Sequence, residues 1–522
     1  MKNKLISIMA VGVLSLSMLA GCGAKGTGSA SNANGKIAAG TLVYGSHDYT
    51  RINPAIDEHG EINLLLFDGL TSHNKDGKVE PGLAKSWEID QNSNTYTFHL
   101  RKGVKWHDGK EFTADDVKFT IDAIMNKKNE SEIASNYAEI KKITVKDKYT
   151  VSFQLKEKNV AFLDYMTIGI LPKHLLQGKN MQTDSFFKHP VGTGPYKLKE
   201  WTQGQSISLE KNDQYYKGEP KIANIVFKIV PDDSAKALQL KSGEINLAMV
   251  TPKDTQNFSS DKGYSVYKMK TADYRGIMYN FKNAFWKKNK NIIPGINYGI
   301  DREAMVKSVL LGEGITAYSP IQRNRFNDSS IEKFQYNPEK AKQIIEKAGW
   351  KLGKDGIYEK SGQKLSFTVN VMEGDQVRAD LAAVASQQLK KIGVDCKAKI
   401  ASKIDWEHQE AFLIGWGSPF DADDHTYKIF STDQASNYNY YSDTKVDTAL
   451  KKARQINNQA ERKNYYSQFL KETVVNPPYT FFCYVDVNYV SGVKIKGITK
   501  NTILGHHGVG IFWNVKDWEL EK

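Results

Sequence analysis

The stretch from Ala411 to His425, AFLIGWGSPFDADDH, constrains the fold and function of this chain most strongly. Its first four residues are apolar and predict a short buried strand. The strand ends at Gly415 and Trp416, and the Gly-Ser-Pro that follows predicts a turn. A dense acidic group and a histidine come next. A buried strand that carries a Trp and several carboxylates into a loop is typical of a binding surface. The alternative is a solvated loop whose aspartates cap the next helix.

The N-terminal residues predict export and a lipid anchor. Lys2 and Lys4 precede an apolar run over residues 5–19, and small residues lead to Cys22. This order is typical of a signal peptide over residues 1–21, because the apolar run is too short to span a bilayer comfortably. The sequence Leu-Ala-Gly-Cys resembles the lipobox of bacterial lipoproteins. That resemblance implies a lipidated Cys22 and a protein held on the extracellular face of the cell membrane.

The mature chain is expected to be a water-soluble body on a tether. Residues 22–40 are rich in Gly, Ala and Ser, and such a segment buries too little apolar surface to order itself. No later stretch is long and apolar enough for a transmembrane helix. The two remaining cysteines, Cys396 and Cys483, do not make a disulfide framework. We expect two small buried hydrophobes, and one bridge between them stays open.

The chain is basic, and its export signal narrows the partners that such a charge could attract. Loss of Lys2 and Lys4 with the signal peptide lowers the formal charge from +13 to +11. A basic surface is also typical of nucleic-acid binding, but the export signal argues against that partner, so we expect attraction to anionic lipids and wall polymers instead. The length of the body allows two or three domains.

The segments downstream predict an α/β protein. TYTFHL (95–100) alternates as a strand does, and Thr113 begins a capped helix that reaches about Met125. Pro338–Gly349 has Pro at its first turn and Gly past its end, and residues 382–393 repeat that helix pattern. Strands and helices alternate after Leu365. His107, in a Trp-His-Asp-Gly turn, is expected to form hydrogen bonds there and not to bind metal.

Several of these segments together resemble the family 5 extracellular solute-binding proteins, which serve ABC importers for peptides and nickel. The segments are LAKSWEID, YTFHLRKGVKWHDGKEFTADDVKFT, HPVGTGPYKLKEW, ALQLKSGEINLAM and GINYGIDREAMV. The resemblance runs in order from about residue 41 to the end. It implies a two-lobed, periplasmic-binding-protein-like α/β fold with a hinge and an inserted subdomain.

The resemblance also implies how the chain divides. Lobe I takes residues 41–72, 189–268 and 488–522. The inserted subdomain takes 73–188, and lobe II takes 269–487. Two crossings between the lobes, near residues 269 and 487, would form the hinge.

The sequence favours a binder over an enzyme. It contains no G-x-S-x-G, H-E-x-x-H, phosphate-loop or C-x-x-C motif, although an extracellular hydrolase with a dispersed site is the competing class. The expected protein is a monomer without a cofactor that hands its ligand to an ABC permease and ATPase. It is not expected to bind nucleic acid.

Two ligand classes stay open. Peptide binders of this family hold the ligand's α-amine with an Asp in the pattern G-W-x-x-D, but Pro419 occupies that position here. Asp421 lies two residues later and could take the role. The run from Trp416 to Asp421 is instead similar to W-G-A-P-Y-D of the nickel-binding branch, with Trp416 and Phe420 at the aromatic positions. That branch also has an Arg near residues 170–174 and a later metal-ligating His, but this chain has no Arg there and has Gln434 at the position of the His. Oligopeptides are the first expectation and a nickel–chelator complex is the alternative.

The candidate ligand-binding residues follow from these two ligands. A dehydrated peptide needs partners for both of its charged ends. For the amine we expect Asp421, Asp423 or Asp424, and for the carboxylate Arg275 or a backbone nest. The aromatic candidates for lining a pocket are Tyr137, Tyr274, Trp416 and Phe420. The segment Asp57 to Glu61 belongs to the other lobe and faces ligand in the nickel branch. The histidines that could supply imidazoles are His59, His425, His506 and His507. No spacing among these histidines predicts a metal site of the protein's own. Residues 437–441 are equally able to line a pocket or to finish a strand.

Overall fold

A computed structural model describes residues 37–58 and 60–521. The predicted signal peptide, Cys22 and His59 lie outside the described residues. Within these residues no helix has the length and apolar character needed to cross a bilayer. The architecture is mixed α/β with two lobes, as predicted.

The strands of the described residues fall into one large sheet and several small ones. In chain order they are β1 (Thr41–Ser46), β2 (Thr71–His73), β3 (Val79–Pro81), β4 (Ala84–Asp90), β5 (Thr95–Leu100), β6 (Ile140–Asp147), β7 (Thr150–Leu155), β8 (Tyr196–Thr202), β9 (Ser206–Lys211), β10 (Asn224–Ile229), β11 (Leu247–Val250), β12 (Ser265–Tyr279), β13 (Gly314–Thr316), β14 (Lys351–Leu352), β15 (Tyr358–Lys360), β16 (Gln363–Lys364), β17 (Ser366–Met372), β18 (Asp395–Ala401), β19 (Ala411–Trp416), β20 (Tyr479–Ser491), β21 (Lys494–Lys496) and β22 (Glu519–Glu521).

The helices surround these sheets. They are α1 (Asn63–Leu66), α2 (Ala114–Met125), α3 (Phe162–Tyr165), α4 (Lys173–Leu176), α5 (Asp233–Ser242), α6 (Pro252–Thr255), α7 (Ala284–Asn289), α8 (Ile293–Tyr298), α9 (Arg302–Ser308), α10 (Pro338–Lys347), α11 (Gln376–Lys391), α12 (Tyr427–Phe430), α13 (Thr444–Gln455) and α14 (Gln459–Val475).

One 11-stranded sheet runs through both lobes. Its order is β18-β17-β19-β12-β20-β11-β1-β10-β9-β8, and β13 pairs with β20 at the side. Strands β12 and β20 are 15 and 13 residues long and pair antiparallel at the centre of the sheet. The same two strands therefore serve lobe I at one end and lobe II at the other.

The pairing of β12 with β20 is interrupted where the lobes meet. Lys270 lies opposite Asp486, but Tyr274 lies opposite Tyr484, so three residues of β12 face one residue of β20. The side chain of Thr271 donates a 2.6 Å hydrogen bond to the carbonyl of Val485. Bulges of this kind bend a strand and re-aim side chains. The predicted crossings near residues 269 and 487 lie in these strands, and the domain boundaries built on them remain a proposal.

A smaller antiparallel sheet, β4-β5-β7-β6, forms the framework of the predicted inserted subdomain. Helix α2 packs against it and begins at Thr113 with the predicted capping box, in which Asp116 accepts from the Thr113 backbone N–H at 2.9 Å. The nearby turn also behaves as predicted, because His107 accepts from the Gly192 N–H at 3.1 Å and contacts the Gly194 carbonyl at 3.0 Å.

Two large hydrophobic cores lie on the two sides of the bulge. One is built on β12, β17, β19 and β20 in the predicted lobe II, and the other joins the predicted lobe I to the predicted inserted subdomain. Cys396 and Cys483 are both buried in the lobe II core and both are free thiols, so the bridge left open by the sequence is not formed. Burial raises the pKa of each thiol to about 12, so both behave as small hydrophobes.

Candidate ligand-binding site

The predicted buried strand is confirmed as β19, and its end forms one wall of the candidate site. All six residues from Ala411 to Trp416 are buried. The turn after it presses against the bulge of β12: a Cβ on Gly417 would lie 2.0 Å from the carbonyl oxygen of Ala272. Only glycine allows that approach. The turn therefore brings Trp416 next to the point where the lobes join.

The centre of the site is Asp273, in the bulge. Its Oδ1 accepts a hydrogen bond from His506 Nδ1 at 2.8 Å and another from Arg275, and its Oδ2 accepts from the His507 N–H at 3.0 Å. Burial opposes ionisation of Asp273, but the charge of Arg275 and the contact with His506 outweigh it, and the pKa of this carboxyl is held well below its usual range. Asp273 is therefore an ionised carboxylate with 0% exposure.

Asp273 fixes the tautomer of His506. Burial lowers the pKa of His506 to about 4, although Asp273 acts in the opposite direction, so the ring is neutral at physiological pH. An ionised carboxylate can only accept, and Nδ1 therefore carries the proton that it donates to Asp273. The lone pair of His506 is consequently on Nε2.

His507 has an unusual backbone conformation. Its φ is +55°, in the left-handed region that few non-glycine residues adopt. Its ring is exposed and lies 3.9 Å from the His506 ring between centroids. The hydrogen bond from its N–H to Asp273 holds this strained conformation, and such strain concentrates at functional sites.

Four rings form a column that ends at these histidines. Trp406 stacks on Tyr438 with centroids 4.7 Å apart, Tyr438 lies 6.1 Å from Trp416, and Trp416 lies 6.0 Å from His506. The interplanar angles are 26°, 23° and 29°. We call this set, Trp406, Tyr438, Trp416 and His506, the aromatic column. It links the predicted lobe II to the C-terminal segment of the predicted lobe I, and Tyr438, from the 437–441 segment, contributes to it.

Two guanidinium groups lie side by side over Gly415. A Cβ at Gly415 would lie 2.2 Å from Arg275 Nη1 and 2.8 Å from Arg378 Nη2, so glycine is what makes room for the pair. Arg275 is 5% exposed and Arg378 is 8% exposed. Burial lowers the pKa of Arg378 to about 10, and the charge of Arg275 adds to the effect. Asp375 lies 3.3 Å from Arg378 Nε. A ligand carboxylate next to this pair would be stabilised by both charges.

In the acidic loop, residues 421–425, two aspartates form ion pairs with arginines of the protein itself. Arg462 donates to both oxygens of Asp421 at 2.5 and 2.6 Å. Asp423 accepts from Tyr165 at 2.6 Å and from Arg454 at 2.9 Å. Asp421 and Asp423 are 2% and 1% exposed, so the loop is not solvated as the alternative interpretation held. The amine-binding role predicted for Asp421 stays a prediction that this geometry does not support.

The other two polar residues of the loop, Asp424 and His425, face lobe I. Lys428 Nζ lies 3.4 Å from Asp424 Oδ1 and 3.0 Å from Oε1 of Glu58, which belongs to the lobe I segment. His425 accepts from the Gly417 N–H at 3.0 Å, and its Nε2 lies 3.9 Å from a carboxylate oxygen of Glu58 and of Asp424. These residues form a polar contact between the lobes.

The remaining predicted residues lie in four different places. Phe420 stacks on His73 of the inserted subdomain with centroids 3.7 Å apart and planes at 6°. Asp57 pairs with Arg51, whose Nε lies 2.9 Å away. Tyr137 and Tyr274 are 2% and 0% exposed and lie in the hydrophobic cores, so this geometry does not support their predicted ligand contacts.

Sequence reasoning missed Arg378 altogether and gave no special weight to His506 and His507. Arg378 occupies a buried position in the first turn of α11, where the helix pattern calls for an apolar side chain. An Arg at an apolar position of the helix was the sequence feature from which its role could have been predicted. Across the described residues no three or more His, Cys, Asp or Glu side chains group to hold a metal ion.

Two lobes joined by two long strands, with polar and aromatic groups gathered at the junction, define a solute-binding protein of the periplasmic type. The family model for bacterial extracellular solute-binding proteins, family 5 Middle, matches residues 78–438. The oligopeptide-binding protein AppA of Bacillus subtilis is 32% identical over 99% of this chain and 98% of its own length. The chain belongs to the family 5 bacterial extracellular solute-binding proteins.

Two solved structures are especially similar. NikZ from Campylobacter jejuni in complex with Ni(L-His) is 38% identical with a TM-score of 0.86, over 92% of this chain and 100% of that one. AppA from B. subtilis in complex with a nonapeptide is 33% identical with a TM-score of 0.81, over 92% and 99%. These relatives are substrate-binding proteins of ABC transporters and not enzymes, which confirms the prediction of a binder. The family works with ABC permease and ATPase components.

Proposed function

We propose that this protein captures a small metal complex, such as nickel chelated by an amino acid, between its lobes and delivers it to an ABC permease. The observation that carries the proposal is the group of His506, His507, Arg275 and Arg378 gathered around and beside the buried carboxylate of Asp273.

The chemistry of these groups suits a metal bound by a chelator. Imidazole nitrogens are good ligands for nickel. Histidines that bind metals usually donate their second ring N–H to a carboxylate, as His506 does to Asp273, because that bond sets the tautomer and orients the ring. The chelator brings its own donor atoms, so the protein needs only one or two imidazoles.

The guanidinium pair supplies the other half of the recognition. An amino-acid chelator carries a carboxylate, and Arg275 and Arg378 present two buried positive charges next to Trp416. Charge-assisted hydrogen bonds to such a carboxylate are stronger than neutral ones. The likeness to NikZ, whose structure holds Ni(L-His), supports the same ligand class.

An oligopeptide is the second candidate, and the observation in its favour is the likeness to AppA. AppA is an oligopeptide-binding protein that matches nearly the whole chain, and its structure holds a nonapeptide. Against it stands the acidic loop, because Asp421 and Asp423 already pair with Arg462 and Arg454. A peptide would have to find its amine partner elsewhere.

Calorimetric titration separates the two candidates. We expect nickel with L-histidine to bind, L-histidine alone to bind much more weakly, and His507→Ala to weaken the complex about tenfold or more. His408→Ala is the matched control, because His408 is 77% exposed and its side chain contacts Asp405. Tight binding of a nonapeptide together with no metal-dependent binding would overturn the proposal in favour of the peptide.

We also propose that Cys22 carries a lipid that anchors the protein to the extracellular face of the cell membrane. The Leu-Ala-Gly-Cys sequence after an apolar run supports it. We expect Cys22→Ala to abolish labelling with palmitate and to release the protein from the membrane fraction. Retained label in the variant would contradict the anchor.

A further inference from the structure

Lys428 is a buried lysine whose charge lies between the two lobes. It belongs to α12 and is 7% exposed. Its Nζ lies 3.0 Å from Glu58 Oε1 in lobe I and 3.4 Å from Asp424 Oδ1 in lobe II. Burial opposes the charge, but Asp424 and Glu58 outweigh it and raise the pKa of Lys428, so the ammonium stays protonated. Burial likewise opposes ionisation of Asp424, yet Lys428 lowers its pKa.

We infer that Glu58 and Asp424 form an ammonium-binding site that the chain fills with its own Lys428, and that this residue therefore selects against ligands that present a free α-amine. Two carboxylates from opposite lobes are what a bound peptide amine would use. Here the ammonium is tethered to lobe II and is always present.

This ammonium site borders the candidate ligand site. His425 Nε2 lies 3.9 Å from both carboxylates, and the His425 ring lies 5.5 Å from that of Trp416 in the aromatic column. The Gly417 N–H that holds His425 belongs to the turn packed on the bulge of β12. A ligand seated against Trp416 would therefore have its nearest amine-binding carboxylates already paired.

The selection follows from charge and desolvation. A free peptide amine would have to displace Lys428 Nζ and leave that cation buried without its partners, which is costly. In an amino-acid chelate the α-amine is bound to the metal and is not an ammonium, so it does not need the carboxylates of Glu58 and Asp424. The inference rests on the proposed capture of such a chelate and names the residue that disfavours the peptide alternative.

The test compares two substitutions of the same residue. Lys428→Ala removes the ammonium and leaves room for a ligand amine. Lys428→Met removes the ammonium but fills the space with a side chain of similar length. Calorimetric titration with trialanine and with N-acetyl-trialanine measures the preference of each protein for a free amine.

We expect Lys428→Ala to bind trialanine at least about tenfold more tightly than its acetylated form, since a charge-assisted pair is gained. The unsubstituted protein and Lys428→Met should show no such preference. A ratio within twofold for Lys428→Ala, or no binding of either peptide, would overturn the inference.

Two further measurements keep the outcome unambiguous. Titration of the unsubstituted protein with nickel and L-histidine reports on the proposed function alone, whatever the peptide ratio shows. If Lys428→Ala does not fold, ethylammonium chloride should restore its melting transition where sodium chloride at equal concentration does not. Equal effects of the two salts would count against an ammonium site.

Discussion

Two groups of buried charges lie near Trp416, one on the loop that follows it in the chain and the other around strand β12, which pairs with its strand, and their partners differ. Asp421 accepts two hydrogen bonds from the buried Arg462 and lies 3.4 Å from the exposed Arg325, and Asp423 accepts from Arg454 and Tyr165. Asp273 instead serves Arg275, His506 and the His507 backbone, with Arg378 alongside. Each aspartate of the first group is held by a guanidinium of the following helices, whereas the second group places two guanidinium groups and two imidazoles at the junction of the lobes, where we expect the ligand.

The largest effect on stability is expected when the ion pair between Asp421 and Arg462 is broken. Asp421→Asn leaves the Arg462 guanidinium buried without its carboxylate, which costs about 3 to 5 kcal/mol of unfolding free energy. Denaturant titration measures the loss, and the ligand affinity of the folded protein should not change. Asp405→Asn is the control, because Asp405 is exposed and should alter stability by less than about 0.5 kcal/mol. A large loss of affinity would return Asp421 to the ligand site.

As the pH falls, the protein should lose stability through His506, the partner of Asp273, before ordinary carboxylates become protonated. The pKa of His506 is about 4 in the folded protein, below its ordinary value, so the unfolded chain takes up a proton first as the pH falls. Stability should therefore decline between about pH 6.5 and pH 4, by up to about 3 kcal/mol from this group.

Denaturant titrations at several pH values test this decline, with His506→Gln as the comparison. Burial also lowers the pKa of His107 to about 4 and lowers the pKa of His507 and His47, so His107→Gln, His507→Gln and His47→Gln are needed to separate the contributions. An unchanged pH dependence in His506→Gln would show that His506 is not held neutral.

The smallest effect on ligand affinity sharpens the contrast at its centre. Asp273→Asn keeps the size of the side chain but removes the charge that pairs with Arg275 and fixes the His506 tautomer, so it also lowers stability and the titration uses variant protein whose folding circular dichroism confirms. Loss of such a partner typically weakens metal binding about 10- to 100-fold. We expect that loss for nickel with L-histidine in a calorimetric titration. Unchanged affinity would assign Asp273 to the fold alone.

The local structure was predictable because it depends on neighbours in sequence. The apolar run before Trp416 is strand β19, Thr113 caps α2, and Pro338 starts α10. Helix α11 begins at Gln376, earlier than its apolar repeat suggested, because Asp375 caps it. Short-range hydrogen bonds and periodicity determine all of these features.

The charge partners were not predictable, because they are distant in sequence. Asp421 and Arg462 are 41 residues apart, and Asp273 and His506 are 233 apart. Nothing near Asp421 distinguishes a carboxylate that holds the core from one that holds a ligand. The acidic loop is buried and not solvated as the alternative interpretation held, since Arg454 and Arg462 of α13 and α14 reach back to it.

The three-against-one bulge at Thr271–Asp273 has a mechanical consequence. Strands that are hydrogen-bonded to each other resist bending, so we expect β12 and β20 to be stiff along most of their length and flexible only at the bulge. We expect the lobes to rotate about this short section. Asp273 lies within it, so a ligand that contacts the Asp273 side chain or its partners would bind at the predicted pivot, where a small displacement moves the rim of each lobe the furthest.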